Sequence, residues 1–354
     1  MYFLKRGMVL TAVVAIGLFL GIPTTPVGYA AKTGAGPSPN GHSGKTASQP
    51  ETQAEHVILF VLEGVGKDSL KTGAMPVLSR LVKDGSVTWS ATGVTPPLRL
   101  PTMASLFTGM PVEKHGITWN AFDFIRGYPR PPTVFDYLDL SGGKDSAVFF
   151  MDESLYQLAK PEPYTDYQMC GPLKPECSPA TLVTYIRQYF KKATSGHGYG
   201  HAILSLPHFL VVHLPEPVRA GEAGGWNSKA YRDALKTIDT AMGSVLDLYK
   251  ELGLLNRTAI LVTSLNDMES VQATGNNQQG PSQAPHVLWL ASGAGIKAGH
   301  AIVQPVSILD TGATVLRTLG LETYTEWDSH PVEEIFRSPR TAATVHNSSP
   351  LTVQ

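Results

Sequence analysis

Charged residues are scarce in this chain of 354 residues. Asp, Glu, Lys and Arg together make up 16% of the sequence, below the ~25% that is usual for soluble domains. The 28 Lys and Arg residues nearly balance the 29 Asp and Glu residues, so the net charge is −1 at pH 7. Without a basic excess, the chain lacks the surface that nucleic-acid binding requires. With 42% hydrophobic residues it is not a disordered chain either, and its length allows one large domain or two ordinary ones.

The apolar run near the N-terminus is short for a membrane-spanning helix. Residues 8–22 are apolar, but a spanning helix needs about 20 residues. Lys5 and Arg6 precede this run, and Gly28 and Ala30 are the small residues of a cleavage site after Ala30. These features are typical of a secretory signal. We therefore predict a signal peptide at 1–30 and an exported protein, periplasmic or secreted. The alternative is an uncleaved anchor, and only then do we expect membrane contact.

Both ends of the chain lack apolar periodicity. Residues 31–55 are rich in Gly, Pro, Ser, Thr and Gln, which predicts a flexible, disordered linker, and residues 338–354 form a similar tail. No internal repeat is present. One folded domain is therefore predicted at 56–337.

Cysteine is nearly absent, with Cys170 and Cys177 as the two examples. In an exported protein, two cysteines this close together favour a local disulfide. A metal site would need two more soft ligands nearby, and the sequence offers none.

Continuous apolar runs alternate with helical patterns through the predicted domain. Strands buried on both faces are predicted at 57–62, 147–150, 209–214, 259–263 and 287–291. Helices are predicted at 75–84, 101–107, 133–138, 179–192, 228–252 and 311–319. This alternation predicts an α/β fold with a mainly parallel central sheet and helices on both faces. The active crevice of such a sheet lies at the carboxyl ends of its strands, here after Leu62, Leu214 and Thr263.

Polar motifs follow these predicted strands. They read LEGVGKDSL at 62–70, TPPLRLPTMASLFTGMPVEKHGITWN at 95–120, HLPEPVRAGEAGGWNSKAY at 213–231, TSLNDM at 263–268 and WLASGAGIKAG at 289–299. In this order and at these spacings, the chain resembles the alkaline phosphatase superfamily, and within it the type I phosphodiesterase/nucleotide pyrophosphatase branch. The resemblance implies a three-layer sandwich and an active site with two metal ions, usually zinc, that activate a Thr or Ser nucleophile.

The residues that the family needs for this chemistry are mostly replaced. By the resemblance, the first-strand aspartate ligand falls on Glu63, and the nucleophile falls on Arg99, which cannot accept a phosphoryl group. Four further metal-ligand positions fall on side chains of other types, namely Val218, Glu222, Leu265 and Asn266. A last histidine ligand falls near Asn277 or Gln278. The phosphate-contacting asparagine is retained as Asn120.

These substitutions predict a pseudoenzyme without a cofactor, which binds a protein partner or a phosphate-like anion. We expect Arg99 to pair with Glu63 or Glu222 and so to substitute for the metals. In the alternative hypothesis, Arg99 and Asn120 hold a phosphate or sulfate ester at a helix N-terminus.

The rival interpretation is an active phosphodiesterase with an altered site. Zinc or another divalent metal would then be held by acidic and imidazole side chains, for which the candidates are Glu63, Glu222, Asp267 and His213. We further expect His213 to hydrogen-bond Asn266 or Glu222. Asp239 lies on the polar side of the long helix, and we expect it to be a capped or paired residue and not a catalyst.

Overall fold

The structure is a computed structural model that describes residues 54–140, 143–159, 166–169, 177–195, 205–267 and 284–337. The predicted signal peptide and tail, both candidate positions of the missing histidine ligand, and Cys170 lie outside these ranges. The Cys170–Cys177 disulfide therefore stays a prediction, as do the domain limits.

One mixed sheet organises the described residues. Its strands are β1 (His56–Leu62), β2 (Ser86–Thr92), β3 (Ser146–Phe150), β4 (Asp166–Met169), β5 (Phe209–Leu214), β6 (Thr258–Ser264), β7 (His286–Gly293) and β8 (His300–Ala301). They lie in the order β4-β3-β5-β1-β6-β7-β2-β8. β7 runs antiparallel to both of its neighbours, and every other pair of neighbours is parallel. The mainly parallel α/β fold is thus confirmed.

Helices cover both faces of the sheet. They are α1 (Lys67–Lys71), α2 (Pro76–Asp84), α3 (Arg99–Thr108), α4 (Val112–His115), α5 (Val134–Leu140), α6 (Pro179–Thr194), α7 (Glu216–Gly224), α8 (Lys229–Glu251) and α9 (Asp310–Thr318). Short 3₁₀ turns occur at Phe124–Arg126, Glu153–Gln157, Leu255–Arg257 and Glu333–Ile335.

The apolar run of β1 is buried on both of its sides. Successive side chains of a strand point to opposite faces. Those at the odd positions from 57 to 61 join a core with α3, α5 and α9, and those at the even positions from 58 to 62 join a second core with α2, α6 and α8. This three-layer arrangement explains why the sequence of β1 is apolar throughout.

The long helix α8 forms where its amphipathic pattern predicts it. Its N-cap is Ser228, whose Oγ accepts a hydrogen bond from the Tyr231 amide at 3.0 Å. After the helix, Gly253 adopts a positive φ of 70°, which suits glycine at this position.

Asp239 of α8 caps the neighbouring helix α2. Its two carboxylate oxygens accept hydrogen bonds from the amides of Val77 and Leu78, each at 2.9 Å. The N-cap residue of α2, Met75, has no side-chain acceptor of its own. Asp239 is therefore a paired residue, as expected, but it is buried between the helices and does not lie on a polar side of α8.

Within the described ranges, no helix combines the length and apolar character that crossing a bilayer requires.

Candidate functional site

The carboxyl ends of the central strands lie side by side. Leu62 of β1 is in register with Leu214 of β5 on one side and with Ser264 of β6 on the other. β3 lies directly beyond β5. Side chains that follow these strands therefore meet at one edge of the sheet, where the sequence predicts the crevice.

An ion pair lies at this edge, between Arg99 and Glu63. Arg99 is the first residue of α3, and Glu63 directly follows β1. The Arg99 Nε is 2.5 Å from Glu63 Oε1, and its Nη2 is 3.0 Å from Oε2, so the contact is bidentate. The Glu63 side chain is only 2% exposed and that of Arg99 is 20% exposed. The expected pairing of Arg99 with Glu63 is confirmed.

Asp152 is a second carboxylate partner of Arg99. The Arg99 Nη1 donates to Asp152 Oδ2 at 2.8 Å. The other oxygen, Oδ1, accepts hydrogen bonds from the amide and the hydroxyl of Ser154, at 3.0 and 2.6 Å. Arg219 of α7 approaches Oδ2 at 3.2 Å and also donates to the carbonyl of Met151. Asp152 is therefore held between two guanidinium groups.

His213, near the end of β5, completes this network. Its Nε2 lies 2.7 Å from Glu63 Oε1, and the Met151 amide donates to its Nδ1 at 3.4 Å. With Nδ1 as an acceptor, the neutral ring carries its proton on Nε2 and donates it to Glu63. Complete burial lowers the pKa of His213, although the contact with Glu63 acts against this shift. The predicted partners of His213, Asn266 and Glu222, are therefore wrong.

The electrostatic balance of Glu63 follows from these contacts. Burial alone would raise the pKa of its carboxyl group. The charge of Arg99 and the hydrogen bonds from His213 and Arg99 outweigh burial and lower the pKa to about 2. Glu63 is therefore a carboxylate at neutral pH, and both of its oxygens are engaged within the protein.

Glu216, the first residue of α7, is a third acidic group near this network. Burial raises its pKa to about 7, and the charge of Glu63 adds to that effect, while Arg219 and Arg99 act against it. Its Oε2 is buried without a hydrogen-bond partner among the described residues. The nearest cation, Arg219, lies 3.7 Å from the other oxygen.

Three of the remaining predicted positions serve the fold. Val218 is buried, and its backbone lies so close to Gly64 that a Cβ there would be 2.7 Å from the Val218 amide nitrogen. Leu265 is also buried in the core. Asn266 accepts a hydrogen bond from the Gly64 amide at 2.7 Å through its Oδ1. The Asn266 side chain thus restrains the turn after β1, and none of the three side chains joins the polar network.

The other predicted positions lie around the network. Glu222 is exposed on α7 and affects Arg99 only by a longer-range attraction that raises the pKa of the arginine. Asp267 packs against Gly66. Asn120 caps α3, since its Oδ1 accepts a hydrogen bond from the Leu100 amide at 2.8 Å.

Comparison with known proteins agrees with this architecture. Residues 57–280 match the family model described as type I phosphodiesterase/nucleotide pyrophosphatase. The chain belongs to this family. It is a branch of the alkaline phosphatase superfamily, and the predicted family is thus confirmed.

Curated relatives show the same affiliation. The chain is 26% identical over 226 residues to ectonucleotide pyrophosphatase/phosphodiesterase family member 1 of Homo sapiens, covering 60% of this chain and 23% of that protein. The protein of the same name from Rattus norvegicus is 25% identical over 243 residues, covering 64% of this chain and 26% of the relative. The chain thus spans about a quarter of the length of these relatives.

Solved structures share the fold. Murine ectonucleotide pyrophosphatase/phosphodiesterase 5, solved as an inactive variant with AMP, has a TM-score of 0.59 at 14% identity. That match covers 80% of this chain and all of the murine one. A 2-O glycosaminoglycan sulfatase has a TM-score of 0.60 at 13% identity, with 79% and 73% coverage. At such identities these likenesses concern the fold alone.

The described residues do not fit the two metal ions of the phosphodiesterase family. Val218 and Leu265 carry no donor atoms, and the Glu63 oxygens already bind Arg99 and His213. Across the described part of the chain, no group of three or more His, Cys, Asp or Glu side chains could hold a metal ion. Of the four candidate metal ligands in the rival interpretation, Glu63 and His213 lie together in the structure. Glu222 and Asp267 do not join that pair.

Three residues in or beside the network were missed in the sequence: Asp152, Arg219 and Glu216. Asp152 comes two residues after Phe150, the end of a strand that the apolar pattern did predict. Because β3 is adjacent to β5, the strand-end rule points to Asp152 as well. Glu216 and Arg219 lie in the segment after β5, where the family resemblance points to the ligand positions Val218 and Glu222 instead.

Proposed function

We propose that this chain is a non-catalytic member of the phosphodiesterase family, exported from the cell, which acts by binding. The observation that carries the proposal is the bidentate contact between Arg99 and Glu63, at 2.5 and 3.0 Å. By the resemblance to the family, it joins the residue expected at the nucleophile position to the residue expected at the first metal-ligand position. An arginine held in this way can neither attack phosphorus nor leave Glu63 free for a metal.

The same contacts favour a partner over a phosphate-like anion as the ligand. Three of the Arg99 donor atoms bind carboxylate oxygens. At the start of α3, Asn120 occupies the Leu100 amide, and Pro101 has no N–H to offer. The helix N-terminus that could attract an anion is therefore largely satisfied from within the chain.

Metal analysis combined with a turnover assay tests this proposal. The purified full chain is incubated with zinc, desalted, and assayed with bis(p-nitrophenyl) phosphate. We expect zinc well below one ion per chain and the same background rate for the native chain and for Glu63→Gln. We also expect Arg99→Thr, which restores a hydroxyl at the nucleophile position, to stay inactive, because Val218 and Leu265 still provide no metal donor. Circular dichroism verifies that both variants fold.

Stoichiometric zinc together with a rate abolished by Glu63→Gln would overturn the proposal. That outcome would support the rival function, a metal-dependent phosphoric ester hydrolase with an altered site. One observation favours the rival function: two of its candidate metal ligands lie together, with His213 Nε2 2.7 Å from Glu63 Oε1.

A further inference from the structure

A cluster of exposed apolar side chains lies beside the crevice. Among the described residues, Phe124 and Ile125 are the large apolar side chains with the greatest exposure, at 86% and 94%. Phe122 and Tyr128 are about half exposed. These four residues, which we call the apolar tip, follow Asn120 in the chain. Exposed apolar groups gathered in one place mark an interaction site more often than scattered ones do.

The apolar tip is held in a fixed shape. Buried Gln157, from the 3₁₀ turn after Asp152, spans its base: Oε1 accepts from the Asp123 amide at 2.9 Å, and Nε2 donates to the Gly127 carbonyl. Within the tip, Asp123 Oδ1 accepts from the Ile125 amide at 3.0 Å. These bonds restrain the turn, so the two apolar side chains are presented to solvent by an ordered backbone.

Aromatic and basic groups flank Phe124 and Ile125 in the chain. The Arg126 guanidinium is 4.8 Å from the centre of the Trp119 ring, and its Nε is 3.0 Å from Asp123 Oδ2. Arg130 is exposed nearby, so the segment carries two cations and one anion. Tyr128 adds a ring with a polar end. Aromatic rings of this kind prefer the headgroup level of a bilayer, and arginines favour anionic lipid.

We propose that the apolar tip inserts into the surface of a bilayer that contains anionic lipid. Phe124 and Ile125 are adjacent and project outward, so a fluid apolar phase can cover both without a matching socket. Aromatic and basic groups flank them in the chain, as interfacial anchoring requires. In addition, 53 residues precede the described part of the chain. They include residues 8–22, the predicted signal or anchor, and an uncleaved anchor would also hold the chain at a membrane. This surface is independent of the proposed loss of catalysis, and its test uses neither zinc nor turnover.

Depth-dependent fluorescence quenching tests the insertion. A fluorescent unnatural amino acid replaces Ile125 in the full chain, or Val303 as the matched control, which is aliphatic and 78% exposed. Vesicles contain phosphatidylcholine and phosphatidylglycerol, with or without brominated acyl chains. We expect the fluorophore at 125 to be quenched by brominated chains at least about twofold, and the one at 303 to be unaffected, because only a group inside the bilayer reaches them.

Cosedimentation with the same vesicles gives a second measurement. Replacing both Phe124 and Ile125 by Ser should weaken binding about tenfold or more, whereas Val303→Ser should not, because only the former removes inserted apolar surface. Equal quenching at 125 and 303 would refute the proposal, even if the N-terminal segment carries the chain to the vesicles. The proposal would also be refuted if the chain cross-linked to a protein through the apolar tip while the fluorophore at 125 showed no quenching.

Discussion

Replacing Arg99 by Met should destabilise the protein strongly at neutral pH. The buried Glu63 carboxylate would keep His213 but lose its bidentate cation. A pKa lowered from 4.5 to about 2 corresponds to about 3 kcal/mol of stability above pH 4.5. Removing one partner of a buried pair typically costs about 3–5 kcal/mol, and we expect this range for Arg99→Met. The double variant Arg99→Met/Glu63→Gln should lose much less, because no buried charge is left unpaired.

The pH dependence of the variant distinguishes a lost charge from lost packing. In the native chain, the contribution of Glu63 is fully present above pH 4.5 and disappears as the pH falls toward about 2. Without Arg99, burial should raise the pKa of Glu63 above its unfolded value. The variant then gains stability relative to the native chain as the pH falls from 7 to 5.

Urea unfolding followed by tryptophan fluorescence at pH 7 and pH 5 measures both effects. The matched control is Arg187→Met, which breaks a solvent-exposed bidentate pair with Glu251 and should leave the midpoint nearly unchanged. Equal midpoints for Arg99→Met and Arg187→Met would refute the reasoning. A loss for Arg99→Met that is the same at both pH values would refute its electrostatic part.

Three further predictions concern buried polar groups outside the network. Asp239→Ala should cost about 1–3 kcal/mol in urea unfolding, because two amides of α2 lose their acceptor, whereas exposed Asp233→Ala on the same helix should not. Burial lowers the pKa of His115 to about 4, so its contribution is lost as the pH falls from 6.5 toward 4. The stability advantage over His115→Gln should therefore be smaller at pH 5 than at pH 7.5. Tyr231→Phe should cost about 1–2 kcal/mol, since its buried hydroxyl donates to the Gly64 carbonyl at 2.8 Å, and a double-mutant cycle with Ser69→Ala should show coupling.

The central strands were predictable from the sequence, and the outer strands were not. The five predicted strands are β3, β5, β1, β6 and β7, which are consecutive in the sheet. Their apolar runs are continuous because helices cover both of their faces. β2 has only two buried residues out of seven, and β8 has two residues in all. These outer strands are paired through their backbone and leave little apolar pattern to detect.

Only part of the site could be predicted, because the pairing of its side chains depends on how far each side chain reaches. The register of the sheet places Glu63 beside the end of β5, so its meeting with His213 follows from topology. Topology does not explain why Asp152, and not Glu222, is the second partner of Arg99. Asp152 lies beside the guanidinium on a turn fixed by Ser154, whereas Glu222 is exposed on α7. No pattern of residue types along the chain distinguishes Asp152 from Glu222 as a partner of Arg99.

The ion pairs of the crevice leave little positive charge for an anion. Two guanidinium groups, Arg99 and Arg219, face the two carboxylates Glu63 and Asp152, so these four charges cancel. The arginines are thus already neutralised by the chain itself. A phosphate would have to displace one of these carboxylates in order to bind, which is why we expect the crevice to reject such anions although an arginine lies at its centre.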